Sequence, residues 1–183
     1  MVNYEPGQDR NVAALNILVM CDGFIIMKNR HEHFMKLALK EAQKAYFKDE
    51  VPIGCVLVKD DKVIARGHNL RENKKLVSSH AEMEAINKAN KKLSNWRLVD
   101  VDLYVTCEPC LMCMGAIYQS HIRSVYYGCR DPKGGAISSS INFKEIKNLN
   151  HYPLIEGGIL EEECSSLIKD YFKNKRDIKK QLK

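Results

Sequence analysis

Two short stretches carry residue types able to do metal chemistry: HAEMEAINKAN, beginning at His80, and CEPCLMCMGAI, beginning at Cys107. Cys110 and Cys113 stand three apart, so on a helix their sulfurs project from one face, one turn apart. At a helix start, unpaired backbone N–H groups and the positive end of the dipole favour thiolates, the form that binds metal. His80 adds an imidazole nitrogen, and one histidine with two thiolates is a ligand set that suits zinc. The count of three decides the kind of site. Structural zinc is closed by four protein ligands, whereas catalytic zinc keeps a position for water. Glu82, two residues after His80, supplies a carboxylate able to take a proton from that water and leave a hydroxide nucleophile. Cys107 lies outside the turn that aligns the other two thiols and is expected to be a small, buried strand-end residue. The alternative is a structural zinc in an RNA-binding module, with Cys107 or Cys129 as fourth ligand.

The elements that must position these residues can be read from periodicity. Phe34, Leu37, Ala38, Ala42 and Ala45 recur at helical spacing between Asn29 and Phe47, and that helix ends before Pro52. IGCVLVKDDKVIARGHN reads as a hairpin turning at Asp60-Asp61. Ser78 or Ser79 is expected to cap a helix that buries Ala81, Ala85, Ile86 and Ala89. VDLYVT is a strand, Pro109 starts a helix through LMCMGAIYQS, and RSVYYG is a further strand. After the Gly/Ser-rich loop RDPKGGAISSS come a short strand at YPLIEGG and a last helix with Leu160, Cys164, Leu167, Ile168 and Tyr171 on one face. Alternation of strands and helices after an opening hairpin predicts an α/β fold, a three-layer α/β/α sandwich around a mixed sheet.

With 183 residues, 45% of them hydrophobic, the chain can build one globular domain. Seven cysteines, an odd number clustered around a CxxC, argue for a reducing compartment, hence a cytoplasmic location, and for metal chemistry rather than disulfides. No apolar run reaches the roughly 20 residues a membrane span requires. Residues 1–27 resemble no working signal, because Asn16 interrupts the apolar stretch and Met20 stands where a small residue is expected, and are read as a dispensable extension or a mis-called start preceding a domain over 28–183. The net charge is +6, and the segment from Lys169 to Lys183, with seven basic and two acidic residues, holds +5 of it. Such a tail either meets a polyanion or is a solvated terminal helix.

HAE followed by PCxxC, each opening a predicted helix, is the signature of zinc nucleobase deaminases. Beyond it, VPIGCVLV, ARGHN, NWRL, LYVTCEPC, YYGCRDPKGGA and EGGILEEEC…IKDYFKNKR resemble, in order, the segments of bacterial tRNA adenosine deaminases, which convert adenosine to inosine at the anticodon wobble position of an arginine tRNA. The resemblance runs from about His31 to the C-terminus. It implies a cytidine deaminase-like fold with a five-stranded sheet, one zinc per chain held by His80, Cys110 and Cys113, and Glu82 as proton shuttle. It matches Asn69 to a residue that hydrogen-bonds the flipped-out base. Asp131 and Lys133 then border the anticodon nucleotides, and Tyr171, Phe172 and Arg176 fall on an RNA-contacting terminal helix. It further implies a homodimer built through the CxxC helix, so Met114, Ile117 and Tyr118 are either interface or core. The partner would be a tRNA anticodon stem-loop, with neither DNA nor membrane involved.

The apolar face claims Tyr171 for the core, while Phe172 at its edge could be core or stacking platform. His68 and His121 read as structural or exposed, and His31, His33 and His151 have no ligand partners in the pattern. Cys107 departs from the resemblance, because relatives with tRNA activity carry an aliphatic residue there and SCEPC-like segments belong to guanine deaminases. A deaminase of a free base or nucleoside, such as guanine or cytosine, is therefore the rival, although a small substrate gives no reason for a basic tail.

Overall fold

A computed structural model describes residues 29–182; the reading of residues 1–27 as an extension lies outside the described residues. Helix α1 spans 29–47 and buries Phe34, Met35, Ala38, Ala42 and Ala45. It stops at a turn in which Asp49 takes a left-handed φ of 61°, ahead of Pro52. Strands β1 (Gly54–Lys59) and β2 (Lys62–His68) form the antiparallel hairpin. Asp60 and Asp61 both have positive φ, the combination a two-residue turn needs to match strand twist.

A one-turn helix α2 (Arg71–Lys74) follows, then α3 (Ala81–Leu93), β3 (Asp102–Cys107), α4 (Leu111–Gln119), β4 (Ser124–Cys129), β5 (Leu154–Gly157) and α5 (Glu161–Gln181). The five strands lie in the order β2-β1-β3-β4-β5, with β1 antiparallel to both neighbours and β3, β4 and β5 parallel. Side chains alternate across this mixed sheet. Leu57, Leu103, Val105 and Val125 pack with Ala85, Ile86, Met114 and Ile117 of α3 and α4. Val56, Val58 and Tyr104 pack with Phe34, Met35 and Cys164 of α1 and α5 on the opposite face. The α/β/α sandwich is thereby borne out.

Two details position the site. Gly67 of β2 leaves no room for a Cβ, which would run into the Ala81 carbonyl and the Ala85 amide, so α3 lies directly on the hairpin. Met114 and Ile117 are fully buried, each contributing ~2 kcal/mol of transfer free energy that holds α4 against the sheet. Those two residues are core within the single chain; Tyr118 is half-buried.

Some local expectations are corrected. Neither Ser78 nor Ser79 caps α3: the N-cap is His80, in extended backbone (φ −75°, ψ 157°) and without a side-chain cap bond, because its ring turns to the cysteine sulfurs instead. Pro109 stands before the N-cap of α4, which is Cys110. Leu160 is not in the first turn of α5 but is its N-cap, with a left-handed φ of 52°.

Candidate active site

The site lies beyond the carboxyl ends of β3 and β4, where open α/β sheets place their ligands. Two helix N-termini meet there. His80 caps α3 and Glu82 follows in its first turn; Cys110 caps α4 and Cys113 closes its first turn. His80 Nδ1 is 3.6 Å from each of the two sulfurs, and the three donor atoms lie within 4.8 Å of one another. A tetrahedral zinc with ordinary bond lengths sets its nitrogen and sulfur ligands about 3.6 Å apart, so the donor spacing and chemistry fit that ion. Neither Cys107 nor Cys129 belongs to the converging group among the described residues.

The electrostatics favour a bound cation. Hydrogen bonds from the Cys113 thiol and from His80 overcome burial and pull Cys110 down to about 4, a thiolate at neutral pH. Cys113 is raised by its hydrogen bond to Cys110 and by burial, and also bonds Glu82. Glu82 is only 3% exposed, and burial first, then the Cys110 charge, push its carboxyl above the usual range. A carboxyl that holds its proton more readily suits a group that must both accept and return one.

Around these residues is a pocket of about 190 Å³, lined among others by Ile53, Asn69, Arg71, Cys107, Glu108 and Asp131. That is below the ~300–1,000 Å³ of drug-sized sites, a volume for one heterocycle. Asn69 is buried, and its Nδ2 donates to Glu50 Oε2 at 3.3 Å, leaving Oδ1 as the atom to accept from a ligand. Through Cys107 and Asp131 the pocket continues into a groove of about 720 Å³ lined by Arg130, Lys133, Lys169, Phe172 and Arg176. The structure therefore brings Asn69 and Asp131 to the metal donors, and places Lys133, Phe172 and Arg176 along the adjoining groove.

Phe172 is 43% exposed and turns its ring to the groove, whereas Tyr171 is core, its hydroxyl donating to the Asp49 carbonyl. Cys107 is the expected buried strand-end residue, paired in register with Cys129, whose Sγ donates to the Thr106 carbonyl. The other histidines are accounted for without a ligand. His31 bonds the Tyr104 hydroxyl and stacks on Tyr126, His68 bonds Glu41, and His151 bonds the Ile122 carbonyl. His121 packs against Trp96, and His33 is exposed.

Two buried carboxylates beside the site were not anticipated. Glu50 accepts from the backbone N–H groups of Glu72 and Asn73 at 3.1 and 2.6 Å and from the Asn73 side chain at 2.8 Å. Glu108 accepts from the backbone of Asp131, Ile137, Ser138 and Ser139 and from the Ser139 hydroxyl. Burial would raise both carboxyls, but these hydrogen bonds outweigh it and hold each below the usual range. The one cue for Glu108 was an acid wedged between a strand end and Pro109; Glu50 had none.

Residues 28–129 match the cytidine and deoxycytidylate deaminase zinc-binding region. Over 148 residues the chain is 46% identical to a tRNA-specific adenosine deaminase of Streptococcus pyogenes serotype M1, covering 81% of this chain and 86% of that one. Its fold superposes with a TM-score of 0.72 and 47% identity on a structure from studies of A-to-I editing by tRNA:A34 deaminases at the wobble position of transfer RNA, over 74% of this chain and 98% of that one. A guanine deaminase from Bacillus subtilis is more distant, with a TM-score of 0.53 and 32% identity over 64% of this chain and 86% of the other. The helix-start donors, the buried acid beside them and these similarities together identify the chain as a member of the cytidine and deoxycytidylate deaminase family, a zinc-binding deaminase.

Proposed function

We propose that this protein hydrolyses adenosine to inosine at the wobble position of a tRNA anticodon, with an arginine tRNA as substrate. The observation that carries the reading is the continuity of a one-base pocket at the metal donors and Glu82 with a basic, Phe172-bearing groove of about 720 Å³. His80, Cys110 and Cys113 would hold the zinc, which when bound supplies an acidified water as the nucleophile. Glu82 takes one proton and returns it to the adenine ring; C6 gains oxygen and loses ammonia, so the sum is water in and ammonia out. Asn69 orients the extruded base through Oδ1, its amide nitrogen already engaged by Glu50. Lys133 and Arg176 meet phosphates, and Phe172 offers its ring to a neighbouring base.

We read residues 28–183 as the whole catalytic domain and the active form as a cytoplasmic homodimer. Exposed Leu111 on α4, beside the buried Met114 and Ile117, supports a partner on that helix. A second reading, guanine deamination, is favoured by Cys107 in the pocket wall and the 32% identity to a guanine deaminase. Incubation with an anticodon stem-loop, free adenosine and guanine separates the two. Inosine in the stem-loop alone is expected, whereas ammonia from guanine with an intact stem-loop would replace the proposal with its rival.

A further inference from the structure

We infer that Glu108 is a positioning residue for the substrate, acting through Asp131. The argument rests on the proposed function for what Asp131 does, and on geometry for how it is placed. The loop after β4 leaves the sheet at Asp131 and returns to the site through residues 137–139. One carboxylate, 3% exposed, collects its backbone amides: Oε2 accepts from Asp131 at 3.2 Å, and Oε1 accepts from Ile137, Ser138 and Ser139 at 2.9, 2.8 and 3.2 Å. Successive N–H groups turned onto one anion form a nest, and here the anion belongs to the protein itself.

The same residue joins this loop to the metal-binding turn. Glu108 lies two positions before Cys110, and its own N–H donates to the Cys129 carbonyl at 2.9 Å. Cys110 forms a bridge with Gly135, and the Ala136 N–H donates to the Pro109 carbonyl at 2.9 Å. Gly135 is required by this closeness, since a Cβ there would run into the Glu108 carboxyl group. The donor turn and the Asp131 wall of the pocket are thus fixed to each other by the Glu108 side chain together with the Cys110–Gly135 bridge and the Ala136 and Gly135 backbone bonds, so a ligand held against Asp131 is held in register with the metal donors. Glu108 is not one of the metal donors, and although it lines the pocket both of its carboxylate oxygens are taken up by the loop; it sets where Asp131 stands.

Glu108→Gln separates the two ends of the clamp. The amide oxygen can still accept from 137–139, but an NH₂ group then faces the Asp131 N–H, donor against donor. In the zinc-loaded full chain, Glu108→Gln is expected to keep its zinc and fold while melting several degrees lower, to raise KM for the stem-loop about tenfold, and to leave kcat within about twofold. Asp131→Ala should raise KM similarly, and adding Glu108→Gln to it should change nothing further. Gly135→Ala, which displaces the carboxylate from the other side, should give the same KM effect if Glu108→Gln fails to fold. Amide hydrogen exchange in the resting enzyme reads the clamp without substrate: the Asp131 N–H should exchange faster in Glu108→Gln while 137–139 stay protected. Unchanged exchange at Asp131, or a KM increase that persists in the Asp131→Ala background, overturns the inference. A wild-type enzyme inactive on the stem-loop would instead defeat the proposed function, with the exchange result still deciding the clamp.

Discussion

The metal pocket and the groove beside it are built by opposite means. In the pocket, His80, Glu82, Cys110 and Cys113 all lie within one turn of a helix start, and those starts are pressed together by the core under α3 and α4. In the groove, Arg130, Lys133, Lys169 and Arg176 are exposed side chains on a loop and a terminal helix, steadied only by what holds their backbone. Chemistry that needs fixed distances sits on regular elements packed to the core; recognition of a charged polymer, which tolerates ångström-scale variation, sits on the rim. Between the two stand Glu50 and Glu108, each buried and each tying a wall of the pocket by its amides, Glu50 the one-turn helix α2 and Glu108 the loop after β4.

The comparison breaks first, and most severely, at the pocket. Glu82→Ala should retain about one zinc per chain and the wild-type fold while kcat falls by roughly a thousandfold, within the range for removing a general acid–base group. Cys110→Ala should lose the zinc itself, as metal analysis would show, and a chelator should inactivate the wild type until zinc is returned. Zinc loss as complete in Cys107→Ala would instead mean a fourth protein ligand and a structural centre, contrary to the three-donor cluster.

At the groove the expected effect is smaller and has a different signature. Lys169→Ala with Arg176→Ala should leave kcat at saturating stem-loop unchanged and weaken binding. The slope of log affinity against log salt should become shallower by about 1.4, near 0.7 for each single-strand phosphate that is no longer neutralised. A slope equal to the wild type's would remove the basic rim from substrate binding. The same pair of substitutions should not move the zinc content, because neither residue approaches the donor cluster.

Legibility in the sequence follows the same division. The donors were readable because all four pocket residues needed only their place at a helix start, in two pairs no more than three positions apart in the chain. The periodic face of α1 and the Asp60-Asp61 hairpin were readable for the same local reason. What escaped depends on partners far along the chain. Glu50 is bonded to amides 22 and 23 positions away, and Glu108 to amides 23 to 31 positions away, so apart from the place of Glu108 between a strand end and Pro109 their neighbourhoods do not mark them as anchors. Helix α2 was missed because its first amides are satisfied by Glu50 rather than by a capping residue of its own. Ser79 looked like a cap by type, but the cap position went to His80, whose ring serves the metal cluster. Whether Met114 and Ile117 were core or interface could be settled only by seeing the sheet beneath them.

The smallest effect belongs to Glu50 and concerns stability rather than turnover. Its folded carboxyl lies below the ordinary value: burial would raise it, but the Asn73 amide and side chain, the Glu72 amide and nearby Arg71 prevail. A depressed carboxyl stabilises the fold fully above its unfolded value, and that contribution is lost as pH falls through the folded one. At neutral pH, Glu50→Gln should cost about 2 kcal/mol, or roughly 4–8 °C in melting temperature for a chain of this size. As pH falls below the ordinary glutamate value of about 4.3 the wild type should begin to approach the variant, and the gap closes as pH passes the depressed folded value, where protonation removes the same anion. Melting curves taken from pH 7 to 3 measure the difference directly, since all other carboxyls titrate in both proteins. A gap that stays constant across that interval would mean that Glu50 fills space without acting as an anion, and the α2 wall would then owe its position to packing alone.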